Sequence, residues 1–485
     1  MNRINSLQAK GNTENAEISK RIAPSHEKSG IDKVLNGGAD LKTIGFFKRR
    51  AVGLRKRGAI GLFGRVTSGR FERGTVGLFG GGAAERFGRG TVGLFGRGAV
   101  GDLPLILTVV LLSLYGTVMV ASAGYSFAEL RYGDALYFIK RQAVWLLIGY
   151  FAMWCGARIP MSAVRRLAPV AYGVTLCLLL LTLAIGMVGN GAKRWISIGP
   201  ITIQPSEIAK LTVVLMLSRY FSEREELACQ IVRGKGNFLW GTFFPCIILL
   251  IPILLVMLQH HLSCIIIIGT LGLLLIISAG VNMRYLYAFM GVGAAGVCYI
   301  ALFTDYTKER ITVWRNPEAY KLTGGWQTLQ GLMAIGSGGI FGKGLGNGEL
   351  KHSYVSEPAN DMIFAILCEE LGFIGAMLAL LLFAVLVYRG YRIATNTEDG
   401  FMRLVALGVT FKMAIQTLLN VAVVTNTIPN TGISLPLFSY GGSSLIMVLF
   451  EMGLLLSIAR TGGTSRIKGE REKTGARLFK RREAI

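Results

Sequence analysis

Between Tyr354 and Gly375 the chain reads YVSEPANDMIFAILCEELGFIG, and this stretch holds the side chains best suited to chemistry. A polar loop containing Pro358 runs directly into an apolar helix. Asp361 stands at the boundary, and Glu369 and Glu370 follow two helical turns deeper. An ionised carboxylate at such depth is costly to desolvate, so it is paired, protonated or functional. Asp361 is therefore a candidate base or ligand at a water–lipid boundary. Its structural alternative is a helix cap, accepting from the first N–H groups of a helix that begins near Met362.

Three further polar clusters lie at the ends of apolar runs. In GAKRWISIGPITIQPSEIAK (191–210), Gly and Pro interrupt the chain before Pro205 opens a helix. Glu207 and Lys210 then share a face at i and i+3, either as a structural ion pair or as part of a site. In GGWQTLQGLMAIGSGGIFGKGLGNG (324–348), glycine is too frequent for a regular helix. Backbone there can approach a ligand closely beside Lys343, or the segment is a flexible external loop. In NTGISLPLFSYGGSSLIMVLFEMG (430–453), Pro436 and the Gly441–Gly442 pair make a turn, and Ser443 and Ser444 can cap the helix that follows. Lys412 and Glu451 fall within the last two apolar runs and are expected to pair across them.

The elements that must position these residues are membrane helices. Mean hydropathy is +0.50, with 52% hydrophobic and 16% charged residues. Apolar runs long enough to cross a hydrocarbon core of roughly 30 Å recur from Leu103 onward. We read about ten, near 103–124, 141–158, 168–189, 205–221, 238–258, 262–282, 285–304, 364–388, 402–424 and 442–459. They lack the alternation of barrel strands, so the expected fold is all-α and polytopic. With no cleavable signal peptide visible, the first span is expected to act as an uncleaved anchor.

Of the net charge of +24, residues 1–102 carry about +11 (19 basic against 8 acidic) and residues 460–485 about +6 (9 against 3). An even number of spans places both basic ends on the cytoplasmic side. Lys140, Arg141, Lys193 and Arg194 then fall outside, against the trend, and become candidate phosphate contacts. RGAIGLFGR, RGTVGLFGG and RGTVGLFGR, starting at Arg57, Arg73 and Arg89, form a 16-residue repeat too glycine-dense to bury a face. This reads as a flexible basic tail, with anionic inner-leaflet lipid as a possible contact. RNA is set aside because no folded recognition module accompanies the repeat. The seven cysteines show no metal or disulfide spacing, adjacent His260 and His261 on one turn do not make a metal site, and no nucleotide-binding motif is present. No cofactor is evident.

Five ordered motifs, FIKRQ (138–142), QPSEIAK (204–210), AIGSGGIFGKGLG (334–346), EPANDMIFAILCEELGFIG (357–375) and LPLFSYGGSS (435–444), give the chain a resemblance to the SEDS family of FtsW/RodA/SpoVE-like cell-wall glycosyltransferases. The resemblance spans roughly residues 103–460, flanked by the repeat tail (1–102), which has no counterpart, and a basic cytoplasmic tail (461–485). It departs from the family pattern at Ser356, at Met362 and in the outer turn Gln259–Cys264. It implies a ten-span fold in the bacterial cytoplasmic membrane, lipid II as substrate and a single-span class B penicillin-binding transpeptidase as partner. It also implies a catalytic aspartate matching Asp361 and a supporting pair matching Glu207 and Lys210. Ser439, Gly441, Gly442 and Ser443, in the last motif, join them as candidate supporting residues. Forming a β-1,4 link from an α-linked sugar pyrophosphate inverts the anomeric carbon, which needs one general base and no covalent intermediate. Asp361 suits that role, with Glu357, Glu369 and Glu370 as the alternatives. Lys343, Lys351, Arg194 and Arg141 are the candidate cations for the leaving pyrophosphate. A flippase of lipid-linked precursor and a non-enzymatic division scaffold are the rival readings.

Overall fold

The computed structural model describes residues 102–189, 192–198, 201–224, 238–288, 290–291, 293, 305–351 and 358–482. The repeat tail, Glu357 and most of the expected run 285–304 lie outside the described residues. In chain order the elements begin with α1 (Leu103–Tyr132), α2 (Tyr137–Arg158) and α3 (Met161–Ile185). A small sheet of β1 (Met187–Gly189), β2 (Ala192–Ile198) and β3 (Ile201–Ile203) follows. Next come α4 (Pro205–Glu223), α5 (Leu239–Leu258, opening with one π turn) and α6 (Leu262–Ser278). Further helices are α7 (Asp305–Arg315), α8 (Trp326–Gly338), α9 (Ile363–Thr395), α10 (Gly400–Val424) and α11 (Gly442–Arg482).

Nine of the ten expected apolar runs coincide with helices, and among the described residues six helices are long and apolar enough to cross a membrane. The chain is an all-α, multi-pass membrane protein. Its outward side chains agree: Leu147 on α2 is 72% exposed and Phe151 64%, a surface that suits lipid rather than water. Inside, one buried apolar cluster joins α1, α2, α9, α10 and α11, and a second joins α4, α5 and α6. α4 and α10 pack together between them, with Leu404 of α10 counted in the second cluster.

Local sequence sets the helix ends. Asp102 caps α1 by accepting from Leu105 N at 3.1 Å, and Gly133, at φ +67°, ends it. The sheet is an antiparallel meander in the order β1-β2-β3, pairing Met187 with Trp195 and Ile196 with Ile203. It was not expected from the sequence. α11 continues well past the apolar run that ends near 459.

α9 is broken at Gly372, whose φ of 64° and ψ of −165° are open only to glycine. The break frees backbone groups inside the bundle, and these must be satisfied. The segment after α8 does this. Lys343 N and Gly344 N donate to the Glu369 and Glu370 carbonyls at 3.0 and 2.9 Å, while Phe373 N and Ile374 N donate to the Gly339 and Ile340 carbonyls. The glycine-dense segment is thus a clamp packed backbone to backbone: a Cβ on Gly342 would lie 2.2 Å from the Glu370 carbonyl oxygen. Gly372→Ala is expected to lower stability by about 1–3 kcal/mol and to loosen the clamp. Thermal unfolding in detergent checks this, and an unchanged midpoint would contradict it.

Candidate active site

Asp361 ends a short segment whose backbone is fixed one residue at a time. The carbonyls of Ala359, Asn360 and Asp361 each accept a hydrogen bond. The donors are Tyr440 N (2.8 Å), Ser439 Oγ (2.6 Å) and Asn420 Nδ2 (3.0 Å). The donors are themselves tied down: Ser439 Oγ accepts from Leu435 N at 2.7 Å, and Asn420 Nδ2 also donates to the Ile433 carbonyl at 2.6 Å. The LPLFSYGGSS motif therefore holds the carboxylate's backbone in place. At the carboxylate, Gln327 Nε2 approaches both oxygens at 3.4 Å, and the Gly432 backbone passes beside Oδ2. The capping position of α9 is Met362, which makes no side-chain capping bond, so Asp361 stands one residue before it.

From Asp361 a polar network leads along α10. Lys412, Gln416 and Asn420 recur every four residues on one face, all buried. Gln416 Nε2 donates to the Ser434 carbonyl at 3.2 Å and its Oε1 accepts from Lys210 Nζ at 3.4 Å. Lys210 pairs with Glu207 at 2.7 Å, and Ser444 Oγ donates to the same carboxylate at 3.4 Å. Lys412 pairs with Glu451 at 2.7 Å, the contact expected across the last two spans. Our sequence reading missed Gln327, Gln416 and Asn420. The signal was there for two of them, as polar side chains four apart in an apolar run, but uncharged amides stand out less than ions.

The two deep carboxylates belong to the clamp. Glu370, fully buried, accepts from Ser122 Oγ at 2.6 Å, Gly346 N at 3.1 Å and Lys351 Nζ at 2.7 Å. Glu369, equally buried, accepts from Glu349 N at 2.9 Å and pairs with Lys343 at 3.2 Å. Lys351 is itself buried, whereas Lys343 keeps partial access to solvent. On β2, Arg194 Nη2 donates to the His260 carbonyl at 2.7 Å, which ties the sheet to the turn between α5 and α6. Burial, with the Arg194 guanidinium nearby, pushes the His261 imidazole down to about 3. It therefore stays neutral at ordinary pH, 3.3 Å from Ser206 Oγ. Arg141 stacks over Tyr137 at 4.6 Å. Gly442 opens α11 against the Trp145 ring, where a Cβ would come within 2.5 Å of ring atoms. Gly441 accepts the Leu445 N–H, and Ser443 is partly buried in the first turn. Among the described residues no three of His, Cys, Asp or Glu converge as a metal-binding group.

A cavity of about 270 Å³ opens beside this centre, lined by residues of α7 and α8 and by Asn430. Gln327 belongs to its wall and also reaches Asp361.

A family model, "Cell cycle protein" (FTSW_RODA_SPOVE), matches residues 103–463. Stage V sporulation protein E of Bacillus subtilis is 39% identical over 364 residues, 74% of this chain and 97% of its own length. The "Probable peptidoglycan glycosyltransferase FtsW" of Geobacter sulfurreducens is 36% identical over 375 residues, 76% of this chain and 96% of its own. Among solved structures, a chain from a peptidoglycan synthase complex, studied for the structural coordination of polymerization and crosslinking, superposes with a TM-score of 0.63 at 26% identity. It covers 75% of this chain and 99% of that one. The rod shape determining protein RodA of Thermus thermophilus superposes with a TM-score of 0.56 at 26% identity, covering 75% of this chain and 97% of that one.

Proposed function

Since the chain belongs to the FtsW/RodA/SpoVE family, we propose that it is a peptidoglycan glycosyltransferase that polymerises lipid II at the outer face of the cytoplasmic membrane, with Asp361 as general base. The observation that carries the assignment of the base is the fixed segment 359–361, which presents one carboxylate beside a polar cavity. In the reaction the acceptor's 4-hydroxyl oxygen bonds to the donor's anomeric carbon as the bond from that carbon to the pyrophosphate oxygen breaks. The hydroxyl proton passes to Asp361, and the electron pair leaves with undecaprenyl pyrophosphate. Positioning matters more than chemical variety here, because a base held within hydrogen-bond reach of the acceptor removes much of the entropic barrier. Arg194, Lys343 and Arg141 are the cations with solvent access for the leaving charge. Lys351, buried against Glu370, serves the clamp instead.

A flippase would need free buried charges along a path through the bundle, but Glu207 pairs with Lys210 and Lys412 with Glu451, which favours the enzyme. The similarity to a chain from a peptidoglycan synthase complex supports a single-span class B penicillin-binding transpeptidase as partner, and the basic ends support cytoplasmic termini. Purified protein given lipid II separates the classes: polymer for the enzyme, leaflet movement without polymer for a flippase, and neither for a scaffold.

Asn420→Ala follows from the same geometry. It leaves the Asp361 and Ile433 carbonyls without their shared donor, at about 1–3 kcal/mol for an unsatisfied buried group. Polymerisation is expected to fall roughly 10-fold as the carboxylate loses its fixed position. A rate equal to wild type in a titration of lipid II would show that Asp361 holds its place without Asn420.

A further inference from the structure

The end of the bundle opposite Asp361 carries cations that the reaction does not use. α3 begins there with Arg165 and Arg166, α4 ends there with Arg219 and Arg224, and α5 starts there with Phe238, Trp240, Phe243 and Phe244. Arg219 is spent on structure: it pairs with Glu223 at 2.7 Å and donates to the Arg165 and Arg166 carbonyls at 3.2 Å. Arg165 lies 3.9 Å from Asp399. Arg224 is held differently, with its guanidinium 4.3 Å from the Tyr220 ring centre and 5.3 Å from a Trp240 ring centre. Tyr220 Oη donates to the Trp240 carbonyl at 2.5 Å, which ties the two aromatic residues together. Aromatic faces orient a guanidinium without consuming its N–H donors. Among the described residues no carboxylate pairs with Arg224. The connecting segment 225–237 holds two acidic and two basic residues, so it adds no net charge.

Beside this cation the surface is apolar. Trp240, Phe244, Ile251, Leu254 and Leu258 are exposed and fall on one stripe of α5, which runs from the level of Arg224 along the span. A phosphodiester accepts two N–H donors from one planar guanidinium, and acyl chains cover an apolar stripe. A soluble phosphate uses only the first of these features, and a neutral lipid mainly the second. We infer that Arg224 and this stripe of α5 form a binding site for one anionic phospholipid, with its phosphate on the guanidinium and its acyl chains along the helix. Basic residues at a membrane boundary attract anionic lipid diffusely. This site differs in setting its cation against two rings at the head of an apolar path. It needs only the membrane fold and stands apart from the glycosyltransferase reading.

The test measures binding of fluorescent phosphatidylglycerol to full-length protein in neutral detergent micelles at physiological salt. Unlabelled phosphatidylglycerol, phosphatidylcholine and glycerol phosphate serve as competitors. Wild type is expected to bind saturably, with displacement by phosphatidylglycerol and by neither of the others. Arg224→Gln should weaken binding roughly 10-fold, the worth of one charge-assisted contact. Arg392, exposed at the same end of the bundle and set over the single ring of Tyr388 at 5.8 Å, supplies the control. Arg392→Gln removes the same charge and should change binding by no more than about two-fold, because salt screens a distant exposed cation. Equal losses in the two variants would reduce the site to diffuse attraction and overturn the inference. Absence of saturable binding would overturn it too, as would phosphatidylcholine or glycerol phosphate competing as well as phosphatidylglycerol. If Arg224→Gln does not purify, Arg224→Lys decides, since it keeps the charge and loses the stacked plane. It should bind several-fold more weakly than wild type, and equal binding would count against the site.

Discussion

Replacing Lys210 with methionine should destabilise the protein by about 3–5 kcal/mol, because Glu207 would remain buried without its cation. Both side chains are nearly sealed from solvent, and their contact is 2.7 Å. Water cannot screen the stranded charge. Glu207→Gln should cost a similar amount by leaving the Lys210 ammonium exposed to the same apolar surroundings. Combining the two removes both charges, so the double variant should lose clearly less than the sum of the single losses. Activity should follow stability, since Lys210 reaches Gln416, four residues along α10 from the Asn420 that holds Asp361. Chemical unfolding of the four proteins in the same detergent measures the coupling. Strict additivity would show that the two residues act separately, with one of them engaged elsewhere.

The charged parts of this candidate site were legible in the sequence, as was Ser439, whereas the amides Gln327, Gln416 and Asn420 were not. Asp361, the Glu207–Lys210 pair and the Lys412–Glu451 pair stand out because charge in an apolar run demands a partner or a role. The helices were legible for the same reason, since hydropathy alone marks a segment that must satisfy its backbone internally. The sheet over 187–203 escaped because two of its strands are only three residues long and are bounded by Gly and Pro. The break at Gly372 was hidden by the apolar residues around it, and the glycines of 338–346 were read as backbone open to a ligand or as a flexible loop. They make close contact because the break leaves carbonyls and N–H groups that only a bare backbone can reach. α11 runs past its apolar stretch because its charged continuation has good helix formers that a hydropathy reading ignores. The cavity drew on residues of 309–328, where no apolar pattern marks an element.

Asp361→Asn is expected to reduce glycan polymerisation by roughly 10²-fold or more. Asparagine keeps the shape at Gln327 and leaves the three carbonyl contacts of 359–361 intact, since these involve backbone and not the carboxylate. Folding and lipid II binding should therefore survive, and the loss should appear in the rate of the chemical step. The contrast with a capping role is clear, because asparagine is as good a cap as aspartate. The direct measurement is single-turnover polymerisation of lipid II by purified full-length wild type and Asp361→Asn, in vesicles of one composition, with lipid II binding measured in parallel. The account predicts polymer from wild type, equal binding by both proteins, and a variant rate lower by roughly 10²-fold or more. Near wild-type polymerisation by Asp361→Asn would contradict it and send the search for the base to Glu357, Glu369 or Glu370.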